Sequence, residues 1–443
     1  MDSAGLETTC SREVIEDPAL PASLARIRVL IVASNFPPTG WGGAELAAEG
    51  VARWMAGHGH EVAVYTDAKD SMTQRPCSVS SPRRYAPRRY AWNHGANEHA
   101  KKGVLRKAVF HLLDHVPRWG RTNFAQAVED FRPDLIMVHI APGLGIGVFE
   151  YCAEYDLPVV YVMHDFWLTC LRSSMFSKSG ASCERREILC QWSSKVRWGA
   201  LSKIKRLGVW APSRKVMELT KAQLGDVFPR VLIERNIVDF ADFRNESDQS
   251  DDAVTRFLYV GKVTVAKGVA FILECLARLP KSVAFEIDII GSGDAEEELR
   301  RLYAEDRRLH FHGLCSRPEV IRSYHRASVL LVPSIWFEPA GLVIYQAQVA
   351  GLPVIASDSG GIPELLSGRA DSLIVPAGDH GKWISCLGSI AENRSLRNQM
   401  RVAAKMGASE YQANIDSGAS RVVDFCRSVI TSTHTNTCIR SQA

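Results

Sequence analysis

The sequence predicts an α/β protein with two doubly wound, Rossmann-like parallel-sheet domains that face each other across a cleft. Three observations support this prediction. Short apolar strands alternate with helical patterns in two successive sets along the chain. A polar, acidic stretch at residues 243–256 separates the two sets and is interpreted as the linker. The length of 443 residues suits two domains of ~200 residues, each able to bury its own core.

The first set opens with a strand, a glycine-containing loop and a helix. Residues 28–33, RVLIVA, form a continuous apolar run that is typical of a strand buried on both faces. The loop NFPPTGWGG follows, and then comes a helical pattern over 44–58. We expect residues 1–26, which precede this set, to form a mobile leader. The first set then defines a first domain over 27–242. Its further strands are predicted at 61–65, 135–140, 159–163, 209–212 and 231–233.

The second set predicts a domain over 257–408. A helical pattern over 409–431 is expected to return to the first domain, and residues 432–443 form a polar tail. The strands of this domain are predicted at 257–260, 285–290, 310–312, 329–332, 354–356 and 373–375.

Composition points to a cytoplasmic protein. The eleven cysteines are scattered, which is typical of a reduced, intracellular chain. The first twenty residues lack the basic start and apolar core of a signal peptide, and no apolar run reaches the ~20 residues that span a bilayer.

The formal net charge of +4 is unevenly distributed, with 31 Lys and Arg against 24 Asp and Glu up to residue 235. Two segments, 82–90 and 101–121, are basic, and the second is also apolar. Two interpretations stay open: peripheral contact with an anionic membrane at the inner face of the plasma membrane, or a core-packing helix with a solvated basic side.

Glycines and lysines at strand ends are the candidate phosphate ligands. Gly42 and Gly43 precede a helix, whose N-terminus offers unpaired N–H groups to an anion. The dinucleotide fingerprint is missing, which disfavours a nicotinamide dehydrogenase. Lys262 and Lys267 follow a predicted strand at the sheet edge where ligands bind, and together they could neutralise a pyrophosphate. The alternative for the glycines is a tight turn without a ligand, and the alternative for the lysines is two solvated loop side chains.

Glu338 is the only acid in a long apolar stretch, so we expect it to be desolvated and to need hydrogen-bond donors such as sugar hydroxyls. A structural helix cap is the alternative. Gly360 and Gly361 form another loop at a strand end. Cysteines 170, 183 and 190 lie near His164, but their spacing favours free thiols over zinc, and we expect no metal.

These residues resemble the family 4 retaining glycosyltransferases of the GT-B fold, over roughly residues 27–410. The matching segments are 261–268 with the family's G-R-x4-K-G pattern, 338–346 with E-x7-E, 357–364 with S-x-x-G-G-x-P-E, 37–45 with its glycine loop, 133–139 with P-D-x-x-x-x-H and 164–170 with H-D-x-W-x-x-C.

The resemblance implies a metal-independent hexosyltransferase that uses a nucleotide sugar as substrate and has no cofactor. It implies a sugar or lipid-linked acceptor in polysaccharide or glycolipid assembly, and no nucleic-acid partner. Lys262 and Lys267 would hold the pyrophosphate, Glu338 the sugar hydroxyls, and His164 would lie beside the reacting face. The donor-binding residues implied are Gly42, Gly43, Gly341, Leu342, Gln346, Gly360 and Gly361.

Two residues depart from the family pattern. Lys262 replaces an Arg and loses its bidentate fork, and Gln346 replaces the second Glu of E-x7-E. A neutral amide binds ribose hydroxyls less strongly than a carboxylate, by ~1 kcal/mol. The alternative function is therefore a catalytically weak or silent nucleotide-sugar-binding subunit. A nucleotide-sugar epimerase is disfavoured because no acid pair is apparent.

Overall fold

The computed structural model describes residues 26–37, 42–66, 83–85, 109, 111–177, 180, 182–183, 187–244 and 254–432. These residues form two parallel sheets with flanking helices, which confirms the predicted fold class. The predicted leader and tail lie outside the described residues except for Arg26 and Ser432. Six residues of the segment 82–90 and nine of the segment 101–121 also lie outside them.

In the described part of the chain, the first sheet has seven strands in the order β3-β2-β1-β4-β5-β6-β7. Its central strands are apolar and buried, as expected for strands covered on both faces. The edge strand β3 was not predicted, and it places Arg83–Tyr85 of the first basic segment beside β2. The strands are β1 (Arg28–Ala33), β2 (Glu61–Thr66), β3 (Arg83–Tyr85), β4 (Leu135–Ile140), β5 (Val159–Val162), β6 (Leu207–Ala211) and β7 (Val231–Ile233).

The second sheet has six strands in the order β10-β9-β8-β11-β12-β13. Strand β8 begins at Thr255, inside the predicted linker, because the buried Thr255 already pairs with Phe285. The strands are β8 (Thr255–Val260), β9 (Phe285–Ile290), β10 (Leu309–Gly313), β11 (Val329–Val332), β12 (Val354–Asp358) and β13 (Ser372–Pro376).

Helices cover both faces of each sheet. None of the described helices is both long and apolar enough to cross a membrane. The α-helices with both ends described in the first half are α1 (Gly43–Gly57), α2 (Arg121–Phe131), α3 (Gly147–Glu154), α4 (Ile188–Leu201) and α5 (Arg214–Leu224). Those of the second half are α6 (Val269–Ala277), α7 (Glu296–Leu302), α8 (Arg317–Arg326), α9 (Leu342–Ala350), α10 (Ile362–Leu366), α11 (His380–Glu392) and α12 (Arg394–Thr431).

The last helix differs from the prediction because it begins at Arg394 and not at residue 409. The Asn393 side chain accepts a hydrogen bond from Leu396 N and so caps the start of α12. The helix runs from the second sheet to the first, where it contacts β5 and β6. Its apolar side joins one buried cluster with β1 of the first sheet and β11 and β12 of the second. The helix therefore connects the two sheets through a shared core.

Direct hydrogen bonds also join the two halves of the chain. Ser213 Oγ, just before α5, donates to Pro339 O at 2.9 Å. The Glu364 carboxylate in α10 accepts the backbone N–H groups of Arg214 and Lys215, both at 2.8 Å. An acid of one half thus satisfies the open helix N-terminus of the other.

Candidate functional site

A buried carboxylate with three donors lies at the carboxyl edge of the second sheet. Glu338 is 6% exposed, and its Oε2 accepts from Lys267 Nζ at 2.6 Å, Trp336 Nε1 at 2.8 Å and Ser334 Oγ at 3.2 Å. The Lys267 ammonium also lies 5.0 Å from the centre of the Trp336 ring. Because an unpaired buried carboxylate is costly, these donors are what allow Glu338 to stay in place.

Glycines fix the backbone of Glu338. Gly361 N donates to Glu338 O at 2.7 Å. Gly360 has a φ of 60°, and a Cβ there would overlap the backbone of Glu338. The two glycines therefore pack against the backbone of Glu338 and fix the position of this residue. Gly341, with a φ of 73°, caps the start of α9, so that Leu342 is the first residue of a helix whose N–H groups are open to an anion.

The first half of the chain reaches the same place through the start of α1. Gly42 caps this helix, and the exposed Gly43 begins it. A Cβ built on Gly43 would lie 3.8 Å from the Leu342 side chain, so the N-termini of α1 and α9 face each other. Positive helix ends from both halves thus border one gap.

Lys262 lies on the same gap. It follows β8 through Gly261, and its carbonyl accepts from the Tyr259 hydroxyl at 2.7 Å. Burial raises the pKa of Glu45 in α1, and the backbone and the charge of Lys262 oppose that rise. Lys262 and Glu45 are therefore close enough to interact across the two halves. The structure brings together Lys262, Lys267, Glu338, Gly42, Gly43, Gly341 and Leu342; their binding roles stay predictions.

His164 follows the carboxyl end of β5 in the first sheet, and its ring contacts a second imidazole. Its Nε2 lies 2.8 Å from Nδ1 of His139, a buried residue at the end of β4. Burial lowers the pKa of His164 to about 3 and that of His139 well below its usual range. Burial also raises the pKa of the adjacent Asp165 to about 6, although the N–H of Trp167 opposes this. Both imidazoles are therefore neutral near pH 7.

A buried ion pair supports the segment that carries His164. The side chains of Arg197 and Asp114 are each 1% exposed, and Arg197 Nη2 lies 3.4 Å from Asp114 Oδ2. Asp114 also accepts from Trp167 Nε1 at 3.2 Å, and Arg197 donates to the carbonyls of Trp167 and Cys170. The residues after His164 are thus tied to the first domain's core by hydrogen bonds as well as by packing.

Gln346, the departure from the family pattern, is engaged within the protein. It is 7% exposed, and its Oε1 accepts from the Tyr324 hydroxyl at 2.8 Å. The carbonyl oxygen that could accept a ribose hydroxyl is therefore already hydrogen-bonded.

The three cysteines near this segment are free thiols. Burial raises the pKa of Cys183 and of Cys190. Within the described ranges, no group of three or more His, Cys, Asp or Glu side chains is arranged to hold a metal ion.

Sequence reasoning did not assign Trp336, Ser334, Glu45 or His139 to the site. The first two lie within four residues of Glu338, so the need of a buried acid for donors could have pointed to them. His139 gave a weaker signal, as a polar residue that ends an apolar strand and the matched segment 133–139. Glu45 ends the matched segment 37–45, but nothing local marked its interaction with Lys262, because Lys262 belongs to the other half of the chain.

Two family profiles match the chain. One described as "Glycosyltransferase Family 4" matches residues 41–226, and one described as "Glycosyl transferases group 1" matches residues 254–393. The structure of Anabaena Alr3699/HepE in complex with UDP and glucose is similar, with a TM-score of 0.64 and 16% identity, over 91% of this chain and 100% of that chain. At this identity the likeness shows the fold.

Curated relatives match over shorter or more divergent segments. The uncharacterized 42.6 kDa protein in the cps region of Klebsiella pneumoniae is 22% identical over 348 residues, 76% of this chain and 87% of that protein. The amylovoran biosynthesis glycosyltransferase AmsK of Erwinia amylovora is 30% identical over 133 residues, 28% of this chain and 33% of that protein. The chain likewise spans only 34% and 30% of two other relatives.

The two profiles fall on the two sheets in turn, and the structural likeness extends over both, so the class is that of the GT-B glycosyltransferases. Within that class, the chain belongs to the family 4 glycosyltransferases.

Proposed function

We propose that this chain is a hexosyltransferase that moves a hexose from a nucleotide sugar to a hydroxyl acceptor, with retention and without a metal. The observation that carries the proposal is the contact between Lys267 and Glu338 on the gap that Lys262 and the N-termini of α1 and α9 also border. Positive groups suited to a diphosphate lie there beside a carboxylate suited to sugar hydroxyls. The similar Anabaena protein was solved with UDP and glucose, which supports this ligand class.

The chemistry follows from these positions. The bond from the anomeric carbon to the phosphate oxygen breaks, and the acceptor oxygen bonds to the same face of the sugar. The hydroxyl proton passes to the departing phosphate, so that no protein base is required. Lys262, Lys267 and the helix N–H groups stabilise the charge on that phosphate. Glu338 holds the sugar, and approach of the two sheets excludes water.

The donor is tested with the purified chain and a panel of UDP-, GDP- and ADP-hexoses. We expect one nucleotide to raise the melting temperature and to support transfer or slow hydrolysis. Lys267→Ala should lower turnover by at least about a hundredfold, because it removes a charge that acts on the departing phosphate. Lys281→Ala is the matched control, since Lys281 is exposed in the loop before β9, at the opposite edge of the sheet. Equal turnover in both variants would overturn the assignment of Lys267.

Stereochemistry and metal use need separate measurements. NMR of the product should show the anomeric configuration of the donor, and excess EDTA should leave the rate unchanged. Inversion would contradict the same-face displacement, and loss of activity with EDTA that Mg²⁺ restores would contradict metal independence.

The contact between Gln346 and Tyr324 favours a second candidate, a silent nucleotide-sugar-binding subunit. Its carbonyl already accepts one hydrogen bond from Tyr324, so Gln346 keeps one lone pair and its amide donors for the ribose, without the charge of a carboxylate. The same panel separates the two functions: thermal stabilisation by a nucleotide sugar with neither transfer nor hydrolysis would support the silent subunit. Gln346→Glu should then strengthen donor binding.

We also propose peripheral membrane contact through the first domain, beside a lipid-linked acceptor. Helix α4 begins with exposed apolar residues: Ile188 is 83% exposed, Leu189 62% and Trp192 47%. The Trp192 ring packs 4.8 Å from that of His115, and Leu112, one turn before His115, is also exposed. The chain just before Leu112 is rich in Lys and Arg. Apolar and basic residues together suit an anionic lipid surface.

The membrane contact is tested by co-sedimentation with phosphatidylglycerol and phosphatidylcholine vesicles. The wild-type chain should bind the anionic vesicles, and changing Ile188, Leu189 and Trp192 to Ser should weaken this binding. Leu302→Ser in α7 is the control, because Leu302 is equally apolar and 68% exposed but lies in the second half of the chain. Unchanged binding in the triple variant would rule out this surface.

A further inference from the structure

The fold brings His139 to His164 through an irregularity in the first sheet. Strand β4 pairs with β1 so that Val138 lies opposite Val32 and Ile140 opposite Ala33. His139 is the extra residue between these pairs. Such a bulge re-aims a side chain at the end of a strand and is frequent beside functional sites. The His139 ring, 3% exposed, contacts His164 from the neighbouring strand.

The two rings share one hydrogen bond. The 2.8 Å distance between His139 Nδ1 and His164 Nε2 requires one nitrogen to donate and the other to accept. Both rings are neutral, so each carries a single proton. Two arrangements are possible, and they differ in which nitrogen of His164 holds its proton.

The other nitrogen of His139 decides between the two arrangements. Its Nε2 is buried and has no hydrogen-bond partner among the described residues. A proton there would create a buried N–H group without an acceptor, which costs about 1–3 kcal/mol. A bare ring nitrogen avoids this orphaned donor, a kind of group that is rare in proteins. His139 therefore holds its proton on Nδ1 and donates it to His164 Nε2.

We infer that His139 is a positioning residue that fixes His164 as the Nδ1–H tautomer. His164 then offers a hydrogen-bond donor, and its other nitrogen is not available as a base. The matching ligand is an oxygen acceptor, such as a sugar hydroxyl or a phosphate oxygen. The catalytic consequence rests on the proposed function, whereas the tautomer itself does not. His164 is partly exposed, and the charge of Glu45 in α1 acts on the adjacent Asp165, whereas His139 is buried.

The tautomer can be read directly from long-range ¹H–¹⁵N spectra of the full chain with ¹⁵N-labelled histidine. The His164 signals are assigned by their loss in His164→Gln. We expect a protonated Nδ1 and a bare, hydrogen-bonded Nε2. A protonated Nε2 on His164 in the wild-type chain would overturn the inference whether or not the chain transfers sugar.

Two variants separate positioning from packing. His139→Phe keeps a ring but removes the donor, so His164 should lose its single tautomer and kcat should fall more than about tenfold, with a smaller change in KM for the donor. His139→Asn keeps a donor and should restore the tautomer and part of kcat. If His139→Phe left both the spectrum and kcat unchanged, or if Asn failed to restore the tautomer in a folded chain, the inference would be wrong. Absent activity in the wild type would count against the proposed function alone.

Discussion

Burial controls the protonation of single residues around the gap. His164, His139 and Asp165 all shift toward their neutral forms because water is largely excluded from them. Glu338 is buried too, yet it has an ammonium, an indole N–H and a hydroxyl as donors. A sugar hydroxyl bound at Glu338 would meet a carboxylate already oriented by the protein. Such pre-orientation is what a positioned transfer requires.

The lowered pKa of His164 makes stability depend on pH. The unfolded chain binds a proton on this residue below about pH 6.5, whereas the folded chain does so only near pH 3. The stabilisation is therefore present above pH 6.5 and is lost as the pH falls toward 3. Between about pH 7 and 5.5, wild type should lose about 1 kcal/mol more unfolding free energy than His164→Gln. Urea titrations of both proteins at the two pH values measure this, and parallel losses would contradict it.

The buried pair of Arg197 and Asp114 predicts a large effect on stability. Arg197→Met leaves a buried carboxylate without its cation, so the free energy of unfolding should fall by about 3–5 kcal/mol. Arg308→Met is the control, because Arg308 and its partner Asp306 are partly exposed and the change should stay under about 1 kcal/mol. Denaturant titration compares the two, and similar losses would show that the buried pair has no special importance.

Among the elements, β6 and α12 approach each other closely. Strand β6 is buried along its whole length. The C-terminal part of α12 crosses this strand. A Cβ on Gly208 would lie 2.6 Å from Val429 Cγ2 and 2.8 Å from Phe425 Cζ. Gly208 therefore allows the last helix to pack against the first sheet.

Adding one methyl group tests this packing. Gly208→Ala should push α12 away and lower the free energy of unfolding by about 1–3 kcal/mol. Gly199→Ala in α4 is the matched change, since no atom lies within 4 Å of the added carbon. Alanine is the better helix former, so that variant should be neutral or gain up to about 1 kcal/mol. Thermal and urea unfolding distinguish the two, and a stable Gly208→Ala would refute the close approach.

In the whole molecule, the position of one sheet relative to the other depends on α12 and on Glu364. The Glu364 carboxylate accepts hydrogen bonds from two N–H groups at the start of α5. The backbone carbonyl of Glu364 accepts a hydrogen bond from the Arg235 guanidinium at 3.3 Å. Both contacts cross between the halves of the chain. They lie next to the Ser213–Pro339 hydrogen bond and therefore directly behind the segment that carries Glu338.

Glu364→Gln should loosen this arrangement without disturbing either sheet. The amide keeps the shape but loses the negative charge at a helix N-terminus, which is worth about 0.5–2 kcal/mol. We expect a larger radius of gyration in solution scattering and a higher KM for the donor, with little change in melting temperature. Glu305→Gln is the control, because Glu305 is exposed in the second half. A scattering profile equal to the wild-type profile would show that Glu364 does not hold the two halves together.

The sequence alone determined the two parallel sheets, because strands buried on both faces are continuous apolar runs that can be recognised locally. It also predicted Lys262, Lys267 and Glu338 as candidates, since a charge beside a buried strand is a local signal. Only the tertiary structure decided which residues meet: Lys267 with Glu338, His139 with His164, and Glu364 with α5. Residues distant in sequence carry no local mark of their partners, and protonation depends on burial, which exists only after the chain has packed.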